Sequence, residues 1–392
     1  MKRFLIFFFC PLTLTGIYDL IFYFPNTWAG KYSDLGTIFP FYLSLQVVLF
    51  LFLSLYLIHK YSKNSSLDAY SPPQKGMSIL IYFLIIGICI FLYLFLFMSV
   101  FGEINFSYLI TRNAYFYAKS KVGTAWVFFL YQFFVMLMLY DFYRNGISKL
   151  KGLVFLFCVL LIATTGGRST IILWLCLIVY IHVVVHGNKI GLMYRYLGFT
   201  LVVFIFSANA ILRSGSSENF SDYFSGGGFL LDFDNAFVLQ DSIDYVDRNS
   251  DHYGVALNDL VYTFVPRSLY PEKPVSTAET RLVYKDMLSD GRTTNITFGI
   301  YGNLVINLGY LGLAVAPFLV IWLSVFYYRI IQRLPLKKPS TFIILYFFIT
   351  YLYVLRGGFI NIRIVMALTV LFMAVSCYEI LRRIKFKKTS IK

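Results

Sequence analysis

The chain has 392 residues, 59% of them hydrophobic and only 14% charged, with a mean hydropathy of +0.71. That composition excludes an ordinary soluble domain and points to a protein that crosses a bilayer many times. The formal net charge of +15 would suit a nucleic-acid partner. However, the basic residues are sorted by side of a membrane rather than gathered in one patch, and nucleic acid is excluded.

In chain order the apolar runs fall at residues 4–24, 37–58, 77–101, 124–140, 153–164, 170–185, 197–210, 306–327, 342–355 and 364–380. A helix needs about 20 apolar residues to cross a hydrocarbon core. The expectation is an all-α polytopic transmembrane helical bundle of about ten spans, forming one integral membrane domain over residues 1–392. Runs 153–164 and 197–210 are short, so they must borrow flanking residues or sit inside the bundle. Lys2 and Arg3 before the first run mimic a signal peptide, but no small-residue cleavage site follows. The run therefore reads as a retained span.

Cys10, Cys89, Cys158, Cys176 and Cys377 all lie inside apolar runs. Thiols so placed offer neither a disulfide framework nor a metal-ligand spacing. No HExxH, Walker A or Rossmann fingerprint occurs, so no metal and no cofactor is expected.

Charge sorts by side. With a cytoplasmic N-terminus, Lys2, Arg3, Lys60, Lys63, Lys75, Arg144, Lys149, Lys151, Lys189, Arg195, Arg329, Arg333, Lys337 and Lys338 fall inside, as does the basic tail from Arg382 to Lys392. Short outer loops keep Lys31, Arg112, Lys119, Lys121, Arg168, Arg356 and Arg363. The positive-inside rule then puts both termini in the cytoplasm and residues 213–302 outside.

That outer segment, residues 213–302, is the long polar interruption in the chain. It opens with Ser214-Gly215-Ser216-Ser217 and a glycine triplet at 226–228. Residues 229–246 then show apolar residues near helical spacing, with Asp232, Asp234, Asp241 and Asp244 on other faces. The expectation is an amphipathic helix on the outer membrane surface.

Three groups of cations mark the outer face. Arg168 sits in Thr164-Thr165-Gly166-Gly167-Arg168-Ser169-Thr170, against the positive-inside bias and next to two glycines. Glycines allow close backbone approach, free N–H groups at a following helix start favour an anion, and a guanidinium forks onto phosphate. A snorkelling arginine capping a short loop is the plainer alternative. Arg267 and Lys273 stand in Pro266-Arg267-Ser268-Leu269-Tyr270-Pro271-Glu272-Lys273-Pro274, where three prolines stiffen the chain. An ordinary proline-rich loop would look the same. Arg281, Arg356 and Arg363 complete the set, Arg356 again beside paired glycines. Group transfer also needs a base. The loop supplies many carboxylates, most of them solvated charges, with Asp241 and Asp232 as first choices and Glu103 at the outer end of the third run. Asp19 and Glu379, near run ends, read as structural.

At these residues the chain resembles the bacterial oligosaccharide repeat-unit polymerases, the Wzy-type O-antigen and capsular polysaccharide polymerases. The likeness rests on Thr165–Ser169, on Pro266–Pro274, and on the Phe298–Gly312 stretch leading into the next run. It implies a metal-independent membrane glycosyltransferase of the C type in a bacterial inner membrane, working on polyprenyl-diphosphate-linked oligosaccharide at the outer leaflet. A flippase and a chain-length regulator are the protein partners it implies, with membrane lipid around the bundle. In that reading Arg168 and Arg267 face the diphosphate and Asp241 or Asp232 is the base. Lys273, Arg281, Arg356, Arg363 and Glu103 bind donor or acceptor. The rivals are an O-antigen ligase, with the same donor and a different acceptor, and a lipid-oligosaccharide flippase. The near absence of charge inside the apolar runs disfavours transport.

Overall fold

The computed structural model describes residues 2–23, 38–62, 76–101, 125–163, 168–188, 191, 235–249, 283, 298–333, 338–357 and 362–389. Among them the regular elements are all helices, with no strand, as an all-α chain requires. They are α1 (Lys2–Phe8), α2 (Pro11–Phe22), α3 (Ile38–Ser62), α4 (Ile79–Phe101), α5 (Ala125–Asn145) and α6 (Lys149–Ala163). Then come α7 (Arg168–Tyr180), which runs on into a π-turn at Ile181–Val185, α8 (Asn235–Arg248) and α9 (Gly299–Leu308). The chain ends with α10 (Leu311–Arg333), α11 (Pro339–Gly357) and α12 (Ile362–Thr389). Run 197–210 lies outside the described residues.

Two apolar runs that read as single spans are each divided. The first breaks between Phe8 and Pro11, because proline has no N–H to continue a helix but suits its first turn. The buried donor at the start of α2, which has no partner within its own helix, is satisfied from a distant helix: Leu12 N–H donates to Ser324 Oγ of α10 at 2.9 Å. The second, 306–327, breaks at Gly309, whose φ of 62° is a conformation only glycine adopts freely. Its N–H closes α9 onto Val305 O at 2.7 Å, and the chain turns back through Tyr310 into α10.

The reversal is tight. A Cβ on Gly312 would stand 2.8 Å from Val305 N and closer still to the Leu304 carbonyl, all backbone atoms that cannot yield. Gly312→Ala should therefore force α9 and α10 apart. The expected loss is about 1–3 kcal/mol, the usual cost of overpacking, read as a lowered unfolding midpoint of the purified protein. Gly87→Ala, with nothing within 4 Å of its Cβ position, is the control and should leave the midpoint unchanged or raise it.

Within α10, residues 311–331 are long and apolar enough to cross a membrane, the one such helix among the described residues. Shorter apolar stretches occur at 42–57, 79–95, 173–185 and 339–355. Outward faces are apolar as well. On α3 the exposed residues Leu45, Val48, Leu49, Phe52, Leu55 and Tyr56 follow helical spacing, and α4 exposes Leu80, Phe83, Leu84, Phe91 and Phe95. The interior is aromatic: Tyr140 packs on Tyr143, Phe342 and Tyr378 with centroids 6.1, 5.1 and 5.0 Å away.

One carboxylate ties four helices together. Asp141 of α5, fully buried, accepts five hydrogen bonds. Oδ1 receives Met77 N–H (3.0 Å), Asn145 Nδ2 (2.7 Å) and Tyr378 OH (2.8 Å). Oδ2 receives Tyr82 OH and Lys151 Nζ, both at 2.8 Å. The ammonium also lies 4.9 Å from the centre of the Tyr82 ring. Nearby, Glu379 accepts from Tyr140 OH (2.6 Å) and stands 3.9 Å from Arg144 and 3.7 Å from Arg382. Glu379 links α12 to Tyr140 and Arg144 of α5. The beginnings of α4 and α6, the end of α5 and the later part of α12 thus share one end of the bundle.

Candidate functional site

Helix α8 is the longest described part of the long polar segment, beside Val283 and residues 298–302. Its apolar residues Val238, Leu239, Ile243 and Val246 turn to the protein, while Asp244, Asp247 and Arg248 lie toward solvent. The expected amphipathic helix is present as Asn235–Arg248, and residues 229–234 lie outside the described residues. It does not stand apart from the helices. Val238 packs with Phe298 and Ile306, Ser242 Oγ lies 3.1 Å from where a Gly302 Cβ would be, and Tyr310 OH donates to Asp247 Oδ1 at 2.7 Å. These contacts seat α8 against α9, with Ser242 set close to the missing side chain of Gly302. The Ser242 hydroxyl causes no polar conflict there, since it donates to Val238 O at 2.6 Å.

α9 is enclosed. Each residue from Gly299 to Asn307 is buried although the helix has only ten residues. On another face, Tyr301 OH donates to Asp19 Oδ2 at 2.6 Å. Gln46 of α3 reaches the same group: its Nε2 contacts the Tyr301 hydroxyl and lies 3.4 Å from Asp19 Oδ2. Tyr23 stands edge-on to Tyr301 at 5.2 Å, and Tyr42 OH closes onto Leu313 O at 3.0 Å. A buried acid, amide and phenol therefore meet at the junction of α2, α3 and α9. Asn303 and Asn307 are buried in the same helix, with Asn307 Nδ2 donating to Asn303 O at 2.7 Å.

Of the residues singled out in the sequence, Asp241 lies half-buried on α8. Arg168 opens α7, Arg356 ends α11 in its last turn, and Arg363 is in the first turn of α12. For these three the backbone alone is described, and residues 164–167 before Arg168 lie outside the described residues. Asp232, Arg267, Lys273, Arg281 and Glu103 lie outside the described residues. Val283, two positions after Arg281, packs against Val238, Phe298 and Ile306. On α8, burial pushes the Tyr245 phenol up from its ordinary value.

The sequence reading missed Tyr301, Gln46 and Asp141. A signal existed for the last two, because each is a polar residue in or beside an apolar run, where polarity is costly and marks a role. Tyr301 carried none among 32 tyrosines. No group of three or more His, Cys, Asp or Glu residues that could hold a metal occurs among the described residues. No protein family, curated protein or solved structure matches the chain.

Proposed function

We propose that this chain is a membrane polysaccharide polymerase, a metal-independent glycosyltransferase that joins lipid-diphosphate-linked oligosaccharide repeat units at the outer leaflet. The observation that carries the reading is the seating of α8. The acidic helix of the long polar segment rests on the bundle through Gly302, where a lipid-linked substrate could reach both. Exposed apolar faces on α3 and α4 support a lipid surround, since soluble proteins rarely leave such contiguous stripes uncovered. About ten spans, both termini cytoplasmic, complete the architecture of this reading.

In the reaction the donor is a growing glycan on a polyprenyl diphosphate, and the acceptor is the next lipid-linked unit. The acceptor hydroxyl attacks the anomeric carbon, its proton passes to a carboxylate, and the lipid diphosphate departs. Asp241 is the base of choice on α8, with Asp232 the other choice. Arg168, Arg267 and Lys273 meet the charge developing on the departing diphosphate, as preorganised donors do. Arg281, Arg356, Arg363 and Glu103 orient the two sugar-lipid substrates.

Deleting the gene tests the function directly. Single repeat units, or none, should replace the ladder of long surface glycans. Long chains that persist but lose attachment to their final carrier would mean a ligase instead. An unchanged ladder would remove both activities.

A further inference from the structure

Asp19 lies in the apolar helix α2 with no exposed surface, and no ion pair among the described residues includes it. The titratable groups set around it there are phenols: Tyr301 from α9, Tyr42 from α3, Tyr351 from α11, and Tyr23 just past the end of α2. From α10, among the described residues, come the neutral Ser324 hydroxyl, on Leu12, and the Tyr328 phenol, against Cys10 at the start of α2. Among the described residues, Asp19 Oδ1 and Gln46 Oε1 at this junction receive no hydrogen bond, and their side chains are already in contact through Gln46 Nε2. A buried carboxylate without counter-charge is costly enough that such groups are normally paired or ligated.

We propose that Asp19 Oδ1 and Gln46 Oε1 form a binding site for a monovalent cation, a sodium ion or a proton. The donors are hard oxygens, which suit hard cations, and a single carboxylate balances a single positive charge. A divalent ion would want more acid than the described residues bring together. A water molecule would satisfy both acceptors but leave the charge unbalanced. The occupant also bears on α9, because Tyr301 holds the other carboxylate oxygen and α8 rests on the neighbouring Gly302. Cation binding is thereby linked to the seat of the acidic helix. The inference stands without the glycosyl-transfer reading.

The test is thermal unfolding of the full chain purified in detergent, at constant ionic strength. Sodium chloride is compared with choline chloride at fixed pH, and pH is varied in choline chloride. Asp19→Asn removes the charge and supplies an N–H for Gln46 Oε1. Wild type should gain about 3–7 °C when the cation saturates the site, the shift a ligand near a hundred times its Kd gives a chain of this size. Asp19→Asn should lose that gain. A sodium-dependent difference between the two proteins assigns a sodium ion. A difference only in pH response, with wild type losing stability as pH rises, assigns a proton. Identical responses of both proteins overturn the proposal and leave an ordered water. Should Asp19→Asn fail to fold, Gln46→Met carries the test. It should move the sodium or pH midpoint by about tenfold or more, and an unmoved midpoint overturns the site.

Discussion

Replacing Asp141 by leucine should leave almost no folded protein. The substitution strands the Lys151 ammonium beside an apolar side chain and removes the acceptor of Met77 N–H, Tyr82 OH, Asn145 and Tyr378 OH together. Breaking a buried ion pair from one side costs about 3–5 kcal/mol. Each further orphaned donor adds about 1–3 kcal/mol where it cannot reach water. Together these rival the whole stability of an ordinary domain, about 5–15 kcal/mol. Asp141→Asn should be milder, since an amide of the same shape still accepts on one atom, but its NH2 then confronts Lys151 and Tyr82. Adding Lys151→Met to Asp141→Asn should restore part of the loss, because the unpaired ammonium goes with it. Folded yield by size-exclusion chromatography and the unfolding midpoint measure all three variants. Asp244→Asn, at an exposed ion pair 3.9 Å long, is the control and should change stability by about 0.5 kcal/mol or less. A well-folded Asp141→Leu protein would show that the five hydrogen bonds do not hold this end together.

The second large effect is on activity rather than folding. If Arg168 and Arg267 meet the departing diphosphate, Arg168→Ala and Arg267→Ala should each abolish polymer at normal protein abundance. Losing one such transition-state contact costs about 3–4 kcal/mol, a hundredfold or more in rate. Lysine should rescue only in part, because an ammonium cannot reproduce the two-pronged guanidinium contact. An arginine that merely snorkels or caps a loop would tolerate lysine, and often alanine, with chain length unchanged. Glycan ladders with matched immunoblots separate the outcomes, with Lys60→Ala and Lys149→Ala as controls. Wild-type ladders from both alanine variants would take these arginines out of the reaction while leaving the deletion result to decide the function.

Helix existence was legible because a chain this apolar must satisfy its backbone internally, and runs of that length do so as helices. The amphipathic α8 was legible for a related reason: its acids and apolar residues alternate with helical period, so one face had to be covered. The breaks at Pro11 and Gly309 were harder to see. Hydropathy averages over a window and treats a proline or glycine inside an apolar run as one more apolar residue, whereas the backbone treats it as a stop. Residues 306–327 accordingly read as one span and fold as the end of α9, a turn and most of α10.

By itself, then, the sequence determined the helical class and the acidic helix between apolar runs, and it marked the arginines set beside paired glycines. These follow from composition and period, which are properties of neighbours along the chain. Tertiary structure alone decided that Asp19 of α2, Gln46 of α3 and Tyr301 of α9 meet, across 27 and 282 positions. It alone decided that Asp141 gathers donors from Met77 to Tyr378. Polar groups in an apolar interior must find partners wherever the packing brings them. Which partners those are depends on helix neighbours that no local pattern records.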